Sequence, residues 1–95
     1  MDKNIEIKNL IKNSLSPETH AFVSVEETTA YIEITSYNQG ADIPKVWELI
    51  PKIDLMLMDI TDFDVTSVTA NFNANLYDPS GEEFFRFQIY FLLDN

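Results

Sequence analysis

Cysteine is absent from these 95 residues, which excludes disulfides and thiolate metal sites and leaves the fold to be held by packing alone. Glycine occurs twice and histidine once, so neither a glycine-rich phosphate loop nor a paired-histidine site can be assembled. No apolar run approaches the ~20 residues needed to span a bilayer. The opening MDKNIEIKNLIKNSL is broken by charge every few residues and lacks the apolar stretch of a signal peptide, so a cytoplasmic protein is expected.

Cations are the scarcest ionisable groups. Six Lys and Arg stand against sixteen Asp and Glu, a formal charge of −10, and between Ile53 and Phe85 there are seven acids and no Lys or Arg. Such a surface repels phosphate backbones and anionic membranes and attracts basic proteins. Direct nucleic-acid binding is disfavoured because its affinity comes largely from cations on phosphates.

What is plentiful is apolar side chain. With 45% hydrophobic residues and twelve aromatics (seven Phe, four Tyr, one Trp), the chain can bury roughly 60 to 70% of its unfolded surface, as expected for one domain over residues 1–95. Ile7, Leu10, Ile11 and Leu15 recur at helical spacing until Ser16-Pro17 ends the pattern. From His20 to Tyr37 the period becomes two, with Ala21, Val23, Val25, Ala30, Ile32 and Ile34 on one face. The two strands are joined either tightly at Glu27-Thr28 or through a longer loop from Glu27 to Ala30.

Asn38-Gln39-Gly40 reads as a turn, Asp42 as a helix N-cap and Pro44 as a first-turn proline. Val46, Trp47, Ile50, Ile53 and Leu57 then run at helical spacing, with Pro51 expected to kink the helix near Leu49-Ile50 or divide it in two.

In the last third, Val68, Ala70, Phe72, Ala74 and Leu76 alternate with polar residues. The turn DPSG follows, and then Phe85, Phe87, Ile89, Phe91 and Leu93 alternate in turn. A hairpin register summing to 159 pairs Val68 with Phe91, Ala70 with Ile89, Phe72 with Phe87, Ala74 with Phe85 and Tyr77 with Glu82. A slip of one residue would turn the second strand's whole apolar set to water. The order α-β-β-α-β-β implies an α+β two-layer sandwich, a four-stranded, mostly antiparallel sheet with both helices on one face.

No catalytic set emerges. His20 lacks a defined nucleophile and orienting acid, and Glu82-Glu83 are adjacent strand residues that point to opposite faces. Asp59, Asp62 and Asp64 fit neither frame of a calcium loop, whose sixth and twelfth positions need Gly and Glu; a solvated connection capped by Thr61 or Asp62 explains them more simply. No cofactor, no metal and no enzymatic activity are expected.

A binding role is the alternative to catalysis. Asn71, Asn73 and Asn75 lie on a polar strand face opposite Gln88, Arg86 and Phe84, with Tyr90 opposite Thr69, a mixture of aromatic and polar groups that suits recognition. Same-face strand residues stand ~6.6 Å apart, comparable to successive phosphates, so carboxylates at that spacing can imitate a nucleic acid. The expected partner-binding residues are Asp59, Asp62, Asp64, Asn71, Asn73, Asn75, Asp78, Glu82, Glu83, Phe84 and Tyr90. The expected function is a small acidic protein that blocks a basic site on another protein, such as a nucleic-acid-processing enzyme. In charge and size alone the chain resembles acidic immunity and nucleic-acid-mimic proteins. The competing expectation is a homodimeric structural or assembly subunit that pairs sheet faces or edge strands, with Phe84, Tyr90 and Leu92 exposed and acidity serving solubility.

Overall fold

A computed structural model describes residues 3–94. Helix α1 (Lys3–Ser14) is followed by β1 (His20–Val25), β2 (Thr29–Ser36), helix α2 (Gln39–Thr61), β3 (Asp64–Tyr77) and β4 (Glu83–Asp94). The expected order is therefore found, and the sheet is antiparallel throughout in the order β1-β2-β4-β3. Because β4 inserts between β2 and β3, α2 must cross over it to connect them.

Both helices lie against one face of the sheet. Ile7, Ile11 and Leu15 of α1 and its exit, and Val46, Leu49, Ile53 and Leu57 of α2, meet Val23, Ala30, Ile32, Ile34, Phe85, Phe87, Ile89, Phe91 and Leu93 in one contiguous core. The strand β4 supplies the largest share of that volume because it lies centrally, flanked by β2 and β3. All five of its alternating apolar side chains are buried, which locks the register, since a slip of one residue would turn them all to water.

The first hairpin closes tightly. Val25 pairs with Ala30, and the Glu26 N–H donates to the Thr29 carbonyl at 2.9 Å, so Glu27-Thr28 form a two-residue loop and the longer alternative is set aside.

The entrance to α2 differs from expectation. Asn38 is the N-cap, its side chain accepting from the Ala41 N–H at 3.3 Å, and Gln39 and Gly40 are already helical. Asp42 is therefore not a cap. It is fully buried, and its carboxylate accepts from the Ser16 N–H (3.3 Å), Ser16 Oγ (3.1 Å), Thr19 Oγ1 (3.5 Å) and Ser36 Oγ (2.6 Å). The side chain thus ties the α1–β1 link and the end of β2 to α2.

Pro44 also moves inward, to the second turn, where it deprives the Gly40 carbonyl of a helical donor. Pro51 does the same to Trp47, yet α2 runs as one helix of 23 residues and is not divided in two. Both prolines and both deprived carbonyls' residues are solvent-accessible, so water can take the missing donor's place. Pro51→Ala is expected to raise stability by about 1 to 2 kcal/mol, the restored helical bond exceeding the entropy that proline removes from the unfolded chain. Urea unfolding would read this as a higher midpoint at constant slope.

In the second hairpin the 159 register holds from Ser67 to Asn73, including Val68 with Phe91, Ala70 with Ile89 and Phe72 with Phe87. It does not hold beyond. A bulge between Asn73 and Leu76, with Asn75 at φ +58°, pairs Leu76 with Phe84 and Tyr77 with Glu83. The pairings Asn75 with Phe84 and Tyr77 with Glu82 are corrected accordingly, Ala74 and Asn75 fall within the bulge in the span facing Phe85, and Leu76 moves to the sheet face opposite the helices. A second bulge falls between Val65 and Ser67. Each adds one residue to β3 and bends it locally.

Candidate functional site

The helix-free face of the sheet is a grid set by the pairings. Across it run Ser24, Tyr31, Tyr90 and Thr69 in one row; Phe22, Glu33, Gln88 and Asn71 in the next; and His20, Thr35, Arg86 and Asn73 in a third. Arg86 is the one Lys or Arg on it. Phe22, 59% exposed, lies 6.1 Å from the Tyr31 ring, which lies 4.8 Å from Tyr90. The Tyr31 hydroxyl donates to Glu33 Oε2 at 2.6 Å and accepts from Gln88 Nε2 at 3.3 Å. Partial burial, and then the Glu33 carboxylate, push this phenol above its ordinary value, so it stays a neutral donor.

The acids form no single field. Ten of the fifteen described acids lie toward the two ends of a molecule 44 Å long and about half as wide, while Glu33 stands mid-face and Asp42 is buried. At one end the turn after β3 joins Asp78, Glu82 and Glu83 to Glu18 and Tyr37. Asp78 Oδ1 accepts from the Ser80 N–H (2.9 Å), Ser80 Oγ (2.6 Å) and the Glu82 N–H (3.0 Å), while Tyr37 donates to Oδ2 at 3.0 Å. These bonds, that of Ser80 foremost, hold the Asp78 carboxyl below the usual carboxylate range. An open depression of about 690 Å³ is lined there by Glu18, Tyr37, Asn38, Gln39, Glu82 and Glu83. Glu83 itself is engaged by Asn75 Nδ2 at 2.6 Å.

At the other end, α2 stops because Asp62 adopts the left-handed conformation (φ 61°), its N–H donating to the Met58 carbonyl at 3.1 Å. Thr61 Oγ1 donates to the Leu57 carbonyl and accepts from the Phe63 N–H, fixing the exit. Asp64 then opens β3 directly opposite Asp94. Phe63 lines two adjoining hollows, of about 330 and 410 Å³, bordered by Glu26, Glu27, Thr28, Thr61 and Asp94. This acid pole comprises Glu26, Glu27, Asp59, Asp62, Asp64 and Asp94, drawn from the first hairpin, the end of α2 and the paired ends of β3 and β4.

The expected site residues are thus divided. Asp59, Asp62 and Asp64 lie at the acid pole, Asp78, Glu82 and Glu83 at the opposite pole, and Asn71, Asn73, Phe84 and Tyr90 on the open face between them; Asn75 sits in a bulge. Glu26, Glu27, Asp94 and Phe63 escaped sequence reasoning, because only the β1–β2 turn and the Asp64–Asp94 register bring them beside Asp62. Phe22 was missed as well, although it is the one large apolar residue on the outer face of β1, between His20 and Ser24.

Among the described residues, no group of three or more His, Asp or Glu is arranged to hold a metal ion, and no helix is long and apolar enough to cross a membrane. The architecture defines an α+β two-layer protein with one helix-free sheet face. Comparison with protein-family models, curated proteins and solved structures finds no match to this chain.

Proposed function

We propose that this is a non-enzymatic binding protein whose acid pole and adjoining aromatic row occupy a basic site on a partner protein, in the manner of an inhibitor, an antidote or a nucleic-acid mimic. One observation carries the reading: like charges are gathered where they oppose stability. Asp59 and Asp62 stand at the C-terminal end of α2, whose last turn holds no basic residue and whose dipole disfavours anions there, and Asp64 follows two residues on. Solubility alone is served by acids anywhere on the surface.

The hollow floored by Phe63 gives a lysine or arginine stem an apolar wall with carboxylates at its rim. From this pole Leu92, Tyr90, Tyr31 and Phe22 continue along the open face, the aromatic content typical of the centre of a protein interface.

Asp62→Asn separates binding from folding. Asparagine suits the left-handed cap, and removing a charge from the helix end is expected to raise stability by about 0.5 kcal/mol while weakening the partner. Affinity capture from the native host with the wild-type chain and with an Asp62→Asn, Asp64→Asn variant, at low and then high salt, tests the reading. A basic protein should be retained at low salt, released at high salt and retained poorly by the variant. Retention of no basic protein, or equal retention by the variant, removes the basis for it.

A further inference from the structure

We propose that the outer edge of β3 pairs with β3 of a second copy of this chain, joining the two sheets into one continuous sheet. This rests on the edge itself and is independent of the partner-binding reading.

A long edge strand is a template for pairing, and monomeric proteins blunt it with charge, proline, brevity or bulges; the two bulges of β3 fall toward its ends and leave its middle regular. The opposite edge, β1, is only six residues long and is backed by α1. Apart from Asp64, both edges lack charge and proline, but β3 has 14 residues, uncharged from Val65 to Tyr77, and no helix backs it as α1 backs β1. Its acids stand just outside, at Asp64 and Asp78. Two acidic copies meeting along this uncharged strip bring no carboxylate into the paired stretch.

The shape of the strand fits a two-fold axis. The two bulges leave a regular stretch, Ser67–Asn73, centred on Ala70. Antiparallel pairing about Ala70 sets Val68 against Phe72 of the second copy, Phe72 against its Val68, and Ala70 against its Ala70, all on the helix side. Small thus meets large in the two flanking pairs, as cross-strand packing prefers, with Ala70 against Ala70 on the axis. These side chains are unfinished business for the monomer: Val68 and Phe72 are each 39% exposed, although they belong to the face the helices cover. Trp47 of α2, 48% exposed, shares Phe87 with Phe72, at ring distances of 5.1 and 4.7 Å, and so prolongs the apolar strip across the helix. An interface of this kind is self-complementary, as a two-fold dimer requires.

Sedimentation equilibrium on the full chain at low and high salt, with cysteine placed at Ala70, tests this. The natural chain has no thiol to interfere. Dimerisation should strengthen with salt, since screening relieves repulsion between like-charged copies, whereas binding to a basic partner weakens. Directly opposed antiparallel residues have Cα atoms ~4.5 to 5.5 Å apart, inside the disulfide range. Under mild oxidation Ala70→Cys should therefore cross-link far faster than Ser80→Cys in the distant turn. Val68→Lys, which places a charge on the joined inner row but leaves it free to reach solvent in the monomer, should weaken dimerisation at least about tenfold. Circular dichroism checks that this variant folds; if it does not, the Ala70→Cys comparison decides alone. A chain monomeric at every concentration overturns the proposal, and so does a dimer in which Ala70→Cys cross-links no faster than Ser80→Cys.

Discussion

Replacing Asp42 by alanine should lower stability by about 3 kcal/mol and the melting temperature by roughly 15 °C, given that charge-assisted hydrogen bonds contribute about 1.5 to 3 kcal/mol each and that buried donors left alone add their own penalty. The carboxylate is fully buried and receives four donors from two segments of the chain: the Ser16 amide and hydroxyl and Thr19 in the α1–β1 link, and Ser36 at the end of β2. Thr19 and Ser36 are themselves fully buried, so water cannot readily replace the lost acceptor. The hydroxyls can rotate toward other acceptors, but the Ser16 N–H cannot. Asp42→Asn keeps one acceptor oxygen and the side-chain volume, so it should lose about half as much. Chemical denaturation of both variants checks the order. A loss below about 1 kcal/mol for Asp42→Ala would show that α2 and these two segments hold together without the carboxylate.

Asp42 also marks where the sequence stops being informative. Asn38 and Asp42 are both good capping residues, and nothing local ranks them. The choice is made by Ser16, Thr19 and Ser36, which converge on Asp42 only once α1, β1 and β2 are in place. The same division runs through the second hairpin. From Ser67 to Asn73 the partners were legible, because β4 carries a large apolar residue at every second position and any slip would expose the whole set. Past Asn73 the pattern of Ala74 and Leu76 still alternates, but Asn75 takes a left-handed conformation that asparagine tolerates and that alternation cannot report. One inserted residue then exchanges the faces of Leu76 and Tyr77.

The candidate site was legible in part for a related reason. Asp59, Asp62 and Asp64 are conspicuous because they are close in sequence, while Glu26, Glu27 and Asp94 join them only through strand pairing. Conversely, Asp78, Glu82 and Glu83 belong to the same cation-free stretch as Asp59 but end up at the far pole, because β3 runs the length of the molecule between them.

Phe87→Ala should be at least as damaging as the loss of Asp42, at about 4 kcal/mol, since removing a buried phenylalanine combines lost transfer energy with the cavity left behind. Its ring is fully buried and is touched from three sides: Trp47 meets it edge-on at 85° from α2, Phe85 meets it edge-on at 89° within β4, and Phe72 lies tilted against it from β3. For a chain of this length, total stability is about 5 to 14 kcal/mol, so the variant should unfold at markedly lower denaturant and report the change directly through Trp47, the single tryptophan. Phe87→Leu fills much of the space without the ring and should cost substantially less. Because Phe72 rests on Phe87, its own truncation should matter less once Phe87 is gone. A double-mutant cycle of Phe72→Ala with Phe87→Ala is expected to give a coupling of about 0.5 to 1.5 kcal/mol. Zero coupling would mean that β3 is held to the core by its ladder with β4 alone, and that the exposed Phe72 edge is not braced from beneath.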